Sequence, residues 1–409
     1  AKPACGGNLR LSLAGRQATT STPRMIPIAI VANALTPYRL HFHQRVAREI
    51  PQIKLCSIFT HEVSNANWAF RPTEEINATL FGKGEATAQQ AELGRAAHEW
   101  KKGGAIIDWL IRHEVRFVLV NGYNDLGRLR IFRWCHRHGV PVAIWSDSNI
   151  RGESATGIFA VAKKLLVGRV VNWCEAIMPC GSLGAEYFMK YGASRNQMYY
   201  VPVEPDYRLI QGLDTTLIAQ VRERFALDPA RRRIIYSGRL IREKRVDLLI
   251  DAFARIAAER PEWDLLIVGD GPLKAELQKH ATPRTQWTGF IDDQATIAAL
   301  YRLSDVLVLP SSFEPWALVI NEAAAAGLAI VASDVVGAAV ELVRDGVNGY
   351  IFRSGDLEDL TGKLRDVTAA DRIDALKSGS AKVLQQWRDT ADPIQGLRRA
   401  LAACKVLAE

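Results

Sequence analysis

With 409 residues, 48% of them hydrophobic and 23% charged, the chain has room for two ordinary domains and the balance of a folded protein, which excludes disorder as its main state. Every apolar run breaks short of about eighteen residues, so no bilayer-spanning helix is expected, and six cysteines without C-x-x-C spacing (Cys5, Cys56, Cys135, Cys174, Cys180, Cys404) exclude a zinc site and a disulfide framework and fit a reducing compartment. Of the net charge of +8, residues 1–205 hold 25 Lys and Arg against 15 Asp and Glu, and residues 206–409 hold 27 against 29; the first half is expected to face an anionic lipid or membrane surface, or an acidic saccharide, and no nucleic acid.

Residues 1–24 lack acidic residues and a continuous apolar core, which predicts a disordered tail and no secretory signal. Residues 25–205 read as a first domain. Ile26 to Val31 is a β-branched strand, and the amphipathic pattern after it predicts a helix to about Ile50, with Thr36 as N-cap and Pro37 in its first turn. A strand feeding a helix at once is the first half of a nucleotide-binding βαβ unit. Further strands read at Ile53 to Phe59, Phe117 to Val120, Pro141 to Trp145 and Ala176 to Pro179, separated by helical patterns as a parallel sheet requires.

Residues 61–90, with Trp68, Phe70 and Phe81 but weak periodicity, read as a long, partly mobile loop over a cleft, concerned with an acceptor. Leu126 to His138 interleaves Arg128, Arg130, Arg133 and Arg137 with apolar residues. That pattern fits a surface helix packed on the sheet or one resting on anionic lipid. The polar turn at residues 146–154 follows a strand end, which makes Asp147 and Arg151 site candidates by position.

A hinge is expected at Val201 to Tyr207, where two prolines interrupt regular structure. The second domain, residues 206–385, reads strands at Ile234 to Ser237, Leu265 to Gly269, Val306 to Leu309, Ala329 to Ala332 and Tyr350 to Phe352. Within it, Leu309 to Glu322 breaks from a strand at Pro310 and starts a helix near Ala317. Pro315 suits the last irregular residues before a helix, leaving the first amides, with the positive end of the helix dipole, free for an anion such as phosphate. Glu322 sits among Leu318, Val319, Ile320 and Ala323, an apolar setting in which a carboxylate needs a partner.

The segment from Glu314 to Glu322, E-P-W-A-L-V-I-N-E, resembles the E-x7-E motif of the retaining glycosyltransferases of family four. In the same order as in that family stand Tyr236-Ser237-Gly238-Arg239-Leu240 with Lys244, Gly269-Asp270-Gly271-Pro272-Leu273, Thr288-Gly289-Phe290-Ile291, and Glu341 to Ile351, together covering about residues 232–352. The resemblance implies an α/β chain of GT-B fold: two facing Rossmann-like, doubly wound domains with an interdomain cleft, and a last segment, residues 386–409, returning as a helix towards the first. It implies a hexosyltransferase that moves a sugar from a nucleotide-diphosphate sugar, UDP ahead of GDP, to a saccharide or glycolipid acceptor, with no cofactor.

In that reading Arg239 and Lys244 neutralise the departing diphosphate. Glu322 holds the ribose and Glu314 the donor sugar. The amides of Ala317 and Leu318 lie on the phosphate, with Gly238, Gly269, Pro315 and Trp316 beside them, and the backbone of Phe290 and Ile291 clasps the base. There are three departures from the family pattern. Paired glycines are missing from the first loop, so Thr36, Tyr38 or Arg39 would contact a ligand there; Arg245 follows Lys244 in place of glycine; and Asp147 stands where many members carry a histidine. No Asp-x-Asp run is present to hold a divalent ion, so activity without metal is expected.

Two rivals share the doubly wound pattern. A dehydrogenase lacks its G-x-G-x-x-G fingerprint here, and a non-catalytic scaffold has no reason to keep Arg239, Lys244, Glu314 and Glu322 together. The expected setting is the cytoplasm, with peripheral attachment to the inner face of a membrane as the extension.

Overall fold

Strands buried on both faces must be apolar throughout, and that is how they read: Val306–Leu309 and Ala329–Ser333 have no exposed residue. The computed structural model describes residues 25–64, 68–153 and 155–408; the tail expected at residues 1–24 lies outside them. A first sheet contains β1 (Ile26–Ala32), β2 (Ile53–Phe59), β3 (Ala78–Leu80), β4 (Phe117–Asn121), β5 (Val142–Ser146) and β6 (Ala176–Pro179). A second contains β7 (Arg232–Ser237), β8 (Trp263–Val268), β9 (Thr285–Gly289), β10 (Val306–Leu309), β11 (Ala329–Ser333) and β12 (Gly349–Phe352).

The orders are β3-β2-β1-β4-β5-β6 and β12-β11-β10-β7-β8-β9. Counted within each lobe these are the same doubly wound order, and all the pairings in both are parallel. In such a sheet the loops part at the carboxyl ends of the first and fourth strands, leaving a ready-made crevice. Here the crevices belong to β1/β4 and β7/β10.

Two strands escaped the sequence. β3 has three half-buried residues at a sheet edge, and β9, Thr-Gln-Trp-Thr-Gly, is half-buried throughout and joins β8 across a register shift. Neither has the apolar run that marks a central strand. The segment read as one long loop is instead tied down: β3 pairs with β2, Ile76 is fully buried, and the 3₁₀ turn Thr87–Ala91 follows.

The Leu126–His138 helix buries Ile131, Phe132 and Cys135 in the first-lobe core. Its Arg128 is 2% exposed and bound to Asp125, Asn33 and Thr60, while Arg130 lies over the Trp100 ring. Its apolar side is spent on packing, which favours the first of the two readings, a surface helix packed on the sheet. Five cysteines are free thiols, four of them buried.

The chain crosses between lobes twice. It leaves the first sheet through Tyr199 and Val201, which bond to Ile177 and Pro179 of β6, and the next helix begins at Tyr207. It returns after the Ile373–Ala391 helix, at Asp392-Pro393, and the Pro393–Ala403 helix inserts Ile394, Leu397, Ala400 and Leu401 into the first-lobe core beside Val46 and Ile50. Arg45 joins both crossings, pairing with Glu204 of the first and, at 2.9 Å, with Asp392 of the second.

The two crossings touch at Gly396, where a Cβ would lie 2.0 Å from the carbonyl oxygen of Tyr200. Gly396→Ala must push the returning helix off the first crossing, an overpacking cost of about 1–3 kcal/mol. Thermal unfolding is expected to move down by several degrees. An unchanged midpoint would mean that the helix is not seated this tightly.

Candidate active site between the lobes

At the carboxyl end of β7 the chain turns through Gly238-Arg239, and at the end of β8 through Gly269-Asp270. These turns touch: a Cβ on Gly269, whose φ is 137°, would lie 1.9 Å from the Gly238 carbonyl oxygen, so only glycine allows the contact. The Leu318–Ala326 helix points its start at the same place, with no side-chain cap and with Ala317 held left-handed at φ 80°. A non-glycine residue in that conformation is strained, and such strain gathers at ligand-binding turns. The helix therefore presents uncapped first-turn amides, as an anion site requires.

A cavity of 430 Å³ opens there, walled on one side by Gly238, Arg239, Gly269, Phe290, Ile291 and Leu318, with Glu322 in its lining, and on the other by Tyr38, His41 and Trp68 of the first lobe. Arg239 is exposed, and its guanidinium has no carboxylate partner among the described residues. Glu322 is 9% exposed and accepts a hydrogen bond of 2.9 Å from the Tyr301 hydroxyl, the partner that its apolar setting demanded. Burial outweighs that bond and pushes its carboxyl up to about 7. Trp68 and Phe290 face each other across the opening, ring centroids 5.9 Å apart.

The remaining expected residues lie outside this cavity lining. Lys244 and Glu314 form an ion pair, so the cation expected on phosphate and the carboxylate expected on the sugar neutralise each other. Asp147 is reached by water yet has protein on most sides. Desolvation raises its carboxyl above the ordinary range, Arg39 draws it back down, and Glu314 adds to the rise, which brings Asp147, Arg39 and Glu314 within one electrostatic neighbourhood. Arg39 itself is anchored to the Ala34 carbonyl at 2.7 Å. Thr36 is the N-cap residue of its helix, but its hydroxyl is buried and makes no capping bond.

Three expected ligand contacts turn out to join the lobes. Trp316 is buried and donates its indole N–H to the Val203 carbonyl at 2.8 Å. Arg151 reaches the Asp334 carbonyl. Pro315 offers its carbonyl to Asn149, 3.4 Å away, and that side-chain amide also donates to Val335 at 3.2 Å. Ser182 adds a backbone and a hydroxyl hydrogen bond to Glu341, at 2.6 and 2.5 Å. Sequence reasoning passed over Asn149, Tyr301, and His41 with Asp206, which line the cavity 3.8 Å apart. Only Asn149 carried a signal, its place in the polar turn after β5.

One cluster among the described residues has the spacing of metal ligands, His61, Glu85 and Glu99, whose ligand atoms lie within 4.8 Å of one another. Lys102 already stands between the two carboxylates, 2.8 Å from Glu85 and 3.0 Å from Glu99, supplying the positive charge a metal would bring. The cluster does not line the cavity.

Residues 218–378 match the sequence profile described as glycosyl transferases group 1. This segment is a group 1 glycosyltransferase domain. Related sequences include the alpha-D-kanosaminyltransferase of Streptomyces kanamyceticus, 33% identical over 156 residues, 36% of this chain and 40% of that protein. Another is the GDP-mannose-dependent alpha-(1-6)-phosphatidylinositol dimannoside mannosyltransferase of Mycobacterium tuberculosis, 36% identical over 212 residues, 49% of this chain and 53% of that protein. The matches thus span about half the length of these relatives or less.

Among solved structures, HepE of Anabaena in complex with UDP and glucose superposes with a TM-score of 0.69 at 17% identity, over 92% of this chain and 100% of that one. Sucrose-phosphate synthase of Thermosynechococcus elongatus gives 0.71 at 18%, over 92% and 99%. The fold is GT-B, and the group 1 domain is its second lobe with part of the helix that follows.

Glu322 permits a direct test of the burial argument. An acid with a raised folded-state pKa binds more protons in the native than in the unfolded state between about pH 4.5 and 7, so its contribution to stability falls as pH rises through that window and stays low above it. Glu322→Gln keeps the shape and cannot ionise. Urea unfolding is expected to show a variant more stable than the wild type at pH 8, by a few kcal/mol at most, and a much smaller difference at pH 5. A pH-independent difference would contradict the assigned cause.

Proposed function

We propose that the chain is a retaining, metal-independent glycosyltransferase of the family-four kind, moving a hexose from a nucleotide-diphosphate sugar to a hydroxyl of a saccharide or lipid-linked saccharide. The observation that carries this reading is the 430 Å³ cavity in which Arg239, the two glycine turns and the uncapped helix meet Glu322 beneath the first lobe. A diphosphate fits the cations and amides, and a ribose fits a buried carboxylate that accepts two hydroxyl hydrogen bonds once ionised. Trp68 and Phe290 suit the flat faces of a base.

Breaking the bond between the sugar's anomeric carbon and the phosphate oxygen leaves negative charge on the diphosphate. Arg239 meets that charge from the cavity wall. Lys244 joins it by exchanging Glu314 for phosphate, and the exchange frees Glu314 to accept hydrogen bonds from the sugar. Binding the donor therefore converts a neutral pair into two working groups. The acceptor oxygen attacks from the face that the phosphate leaves, and its proton passes to the departing phosphate oxygen, so retention needs no protein nucleophile. In this reading Asp147, whose charge Arg39 favours, orients the acceptor.

HepE, crystallised with UDP and glucose, supports a UDP-sugar ahead of a GDP-sugar, and the GDP-mannose-dependent relative keeps the second in view. A thermal-shift panel of UDP-, GDP- and ADP-sugars separates them, since a bound ligand raises the midpoint by mass action. Arg239→Ala is expected to lower kcat by about a hundredfold or more, the usual cost of one donor lost to a developing anion. Turnover is expected to persist in EDTA; loss in chelator with recovery on Mg²⁺ or Mn²⁺ would refute the metal-free route.

A further inference from the structure

The helix Gly157–Trp173 buries apolar side chains only at its far end. Val167, Val170 and Val171 are buried, whereas Ile158, Phe159, Val161 and Leu165 stand 58–79% exposed on its first half. Single apolar side chains on a surface need no explanation, but four on three consecutive turns form a patch of the kind that marks an interaction site. The helix contains no Asp or Glu. Lys164 and Arg169 are exposed with no acidic partner among the described residues, and the adjoining Leu126–His138 helix adds exposed Arg133 and Arg137. Lys163 is tied to Glu153, 3.0 Å away, which fixes the start of the helix to the turn after β5.

From this geometry we propose that the first half of the Gly157–Trp173 helix is a docking surface for an anionic lipid bilayer, lying in the headgroup region with Phe159 and Leu165 inserted. Two features favour a bilayer over a second copy of the chain. A symmetric pairing would set Lys164 and Arg169 against the same cations of the partner, and like charges across an interface are repulsive. Anionic headgroups complement them instead, and apolar tips ringed by Lys and Arg are the signature of an interfacial helix. The helix is too interrupted by charge to cross a membrane, and no described helix is long and apolar enough to do so.

Position gives the surface its use. The same turn that leads into this helix carries Asn149, bonded to the Pro315 carbonyl beside Glu314. A bilayer docked here would present its headgroups at the mouth of the cleft, so the acceptor in the proposed reaction is a lipid-linked saccharide. That last step rests on the transfer reading; the docking itself does not.

The test is flotation of the full chain, without donor, with phosphatidylcholine vesicles and with vesicles that also contain phosphatidylglycerol. The wild type is expected to float with the anionic vesicles and to stay largely behind with neutral ones. Phe159→Asp with Leu165→Asp is expected to lower the bound fraction at least about tenfold, and Lys164→Glu with Arg169→Glu to remove the anionic preference. These residues are exposed and outside the cavity, so the unfolding midpoint and the thermal shift with a nucleotide sugar should match the wild type. Equal recovery of the wild type from both vesicle types without flotation overturns the proposal, as does normal flotation of the aspartate variant. A dimer in solution that the aspartate variant dissolves, with no vesicle binding, would assign the patch to a second copy. Vesicle binding without any nucleotide-sugar shift would leave the surface standing and remove the transfer reading alone.

Discussion

Everything in the cleft depends on two chain crossings being held at a fixed distance, and Arg45 is the residue that fixes them. One guanidinium meets a carboxylate from the outgoing segment and another from the start of the returning helix, and both crossings pack on the first-lobe core. A buried ion pair of this kind contributes little net stability over an apolar replacement, because desolvation cancels most of the attraction, but it is specific about where its partners sit. That specificity sets the facing of the sheets. The contacts nearer the mouth, Asn149 on two carbonyls and Ser182 on Glu341, then close the lobes over the cavity.

Inside that frame the electrostatics are arranged for exchange. Lys244 and Glu314 satisfy each other, Arg39 restrains Asp147, and Glu322 has its ionisation opposed by burial. Arg239 alone among the expected cations stands in the cavity wall without a carboxylate. A ligand bearing negative charge thus meets one free cation at once and gains a second only by displacing a carboxylate. Such a displacement would leave the Glu314 carboxylate free to accept other hydrogen bonds.

The sequence was most legible where burial dictates composition. Ten of the strands are apolar runs, and their alternation with helices implied the doubly wound order; β3 and β9 did not show because edge strands carry mixed residues. The motif residues Gly238, Arg239, Gly269, Phe290, Ile291, Leu318 and Glu322 do meet in one cavity. What could not be read was how side chains are shared between lobes. Trp316, Arg151 and Pro315 look from their positions like ligand contacts, yet each meets a group more than a hundred residues away, and no local pattern encodes that. Exposure was equally hidden. Leu126–His138 and Gly157–Trp173 are both basic and apolar, and only the packed structure shows that the first buries its apolar side while the second leaves the apolar residues of its first half in water.

The two crevices, alike in topology, differ in what their first loops admit. In the second lobe Gly238 and Gly269 let backbone come to backbone, which leaves main-chain groups near the cavity wall. In the first, the loop after β1 reads Asn33-Ala34-Leu35-Thr36, with Ala34 and Leu35 buried and the Arg39 guanidinium folded back onto the Ala34 carbonyl. That loop has no glycine to bring backbone against backbone, and its Ala34 carbonyl already has a partner. The first lobe therefore offers side chains, Tyr38, Arg39 and Asp147, where the second offers amides and glycine turns. That asymmetry gives the second lobe the groups suited to a charged phosphate and leaves the first with side chains, a basic surface and an exposed apolar helix.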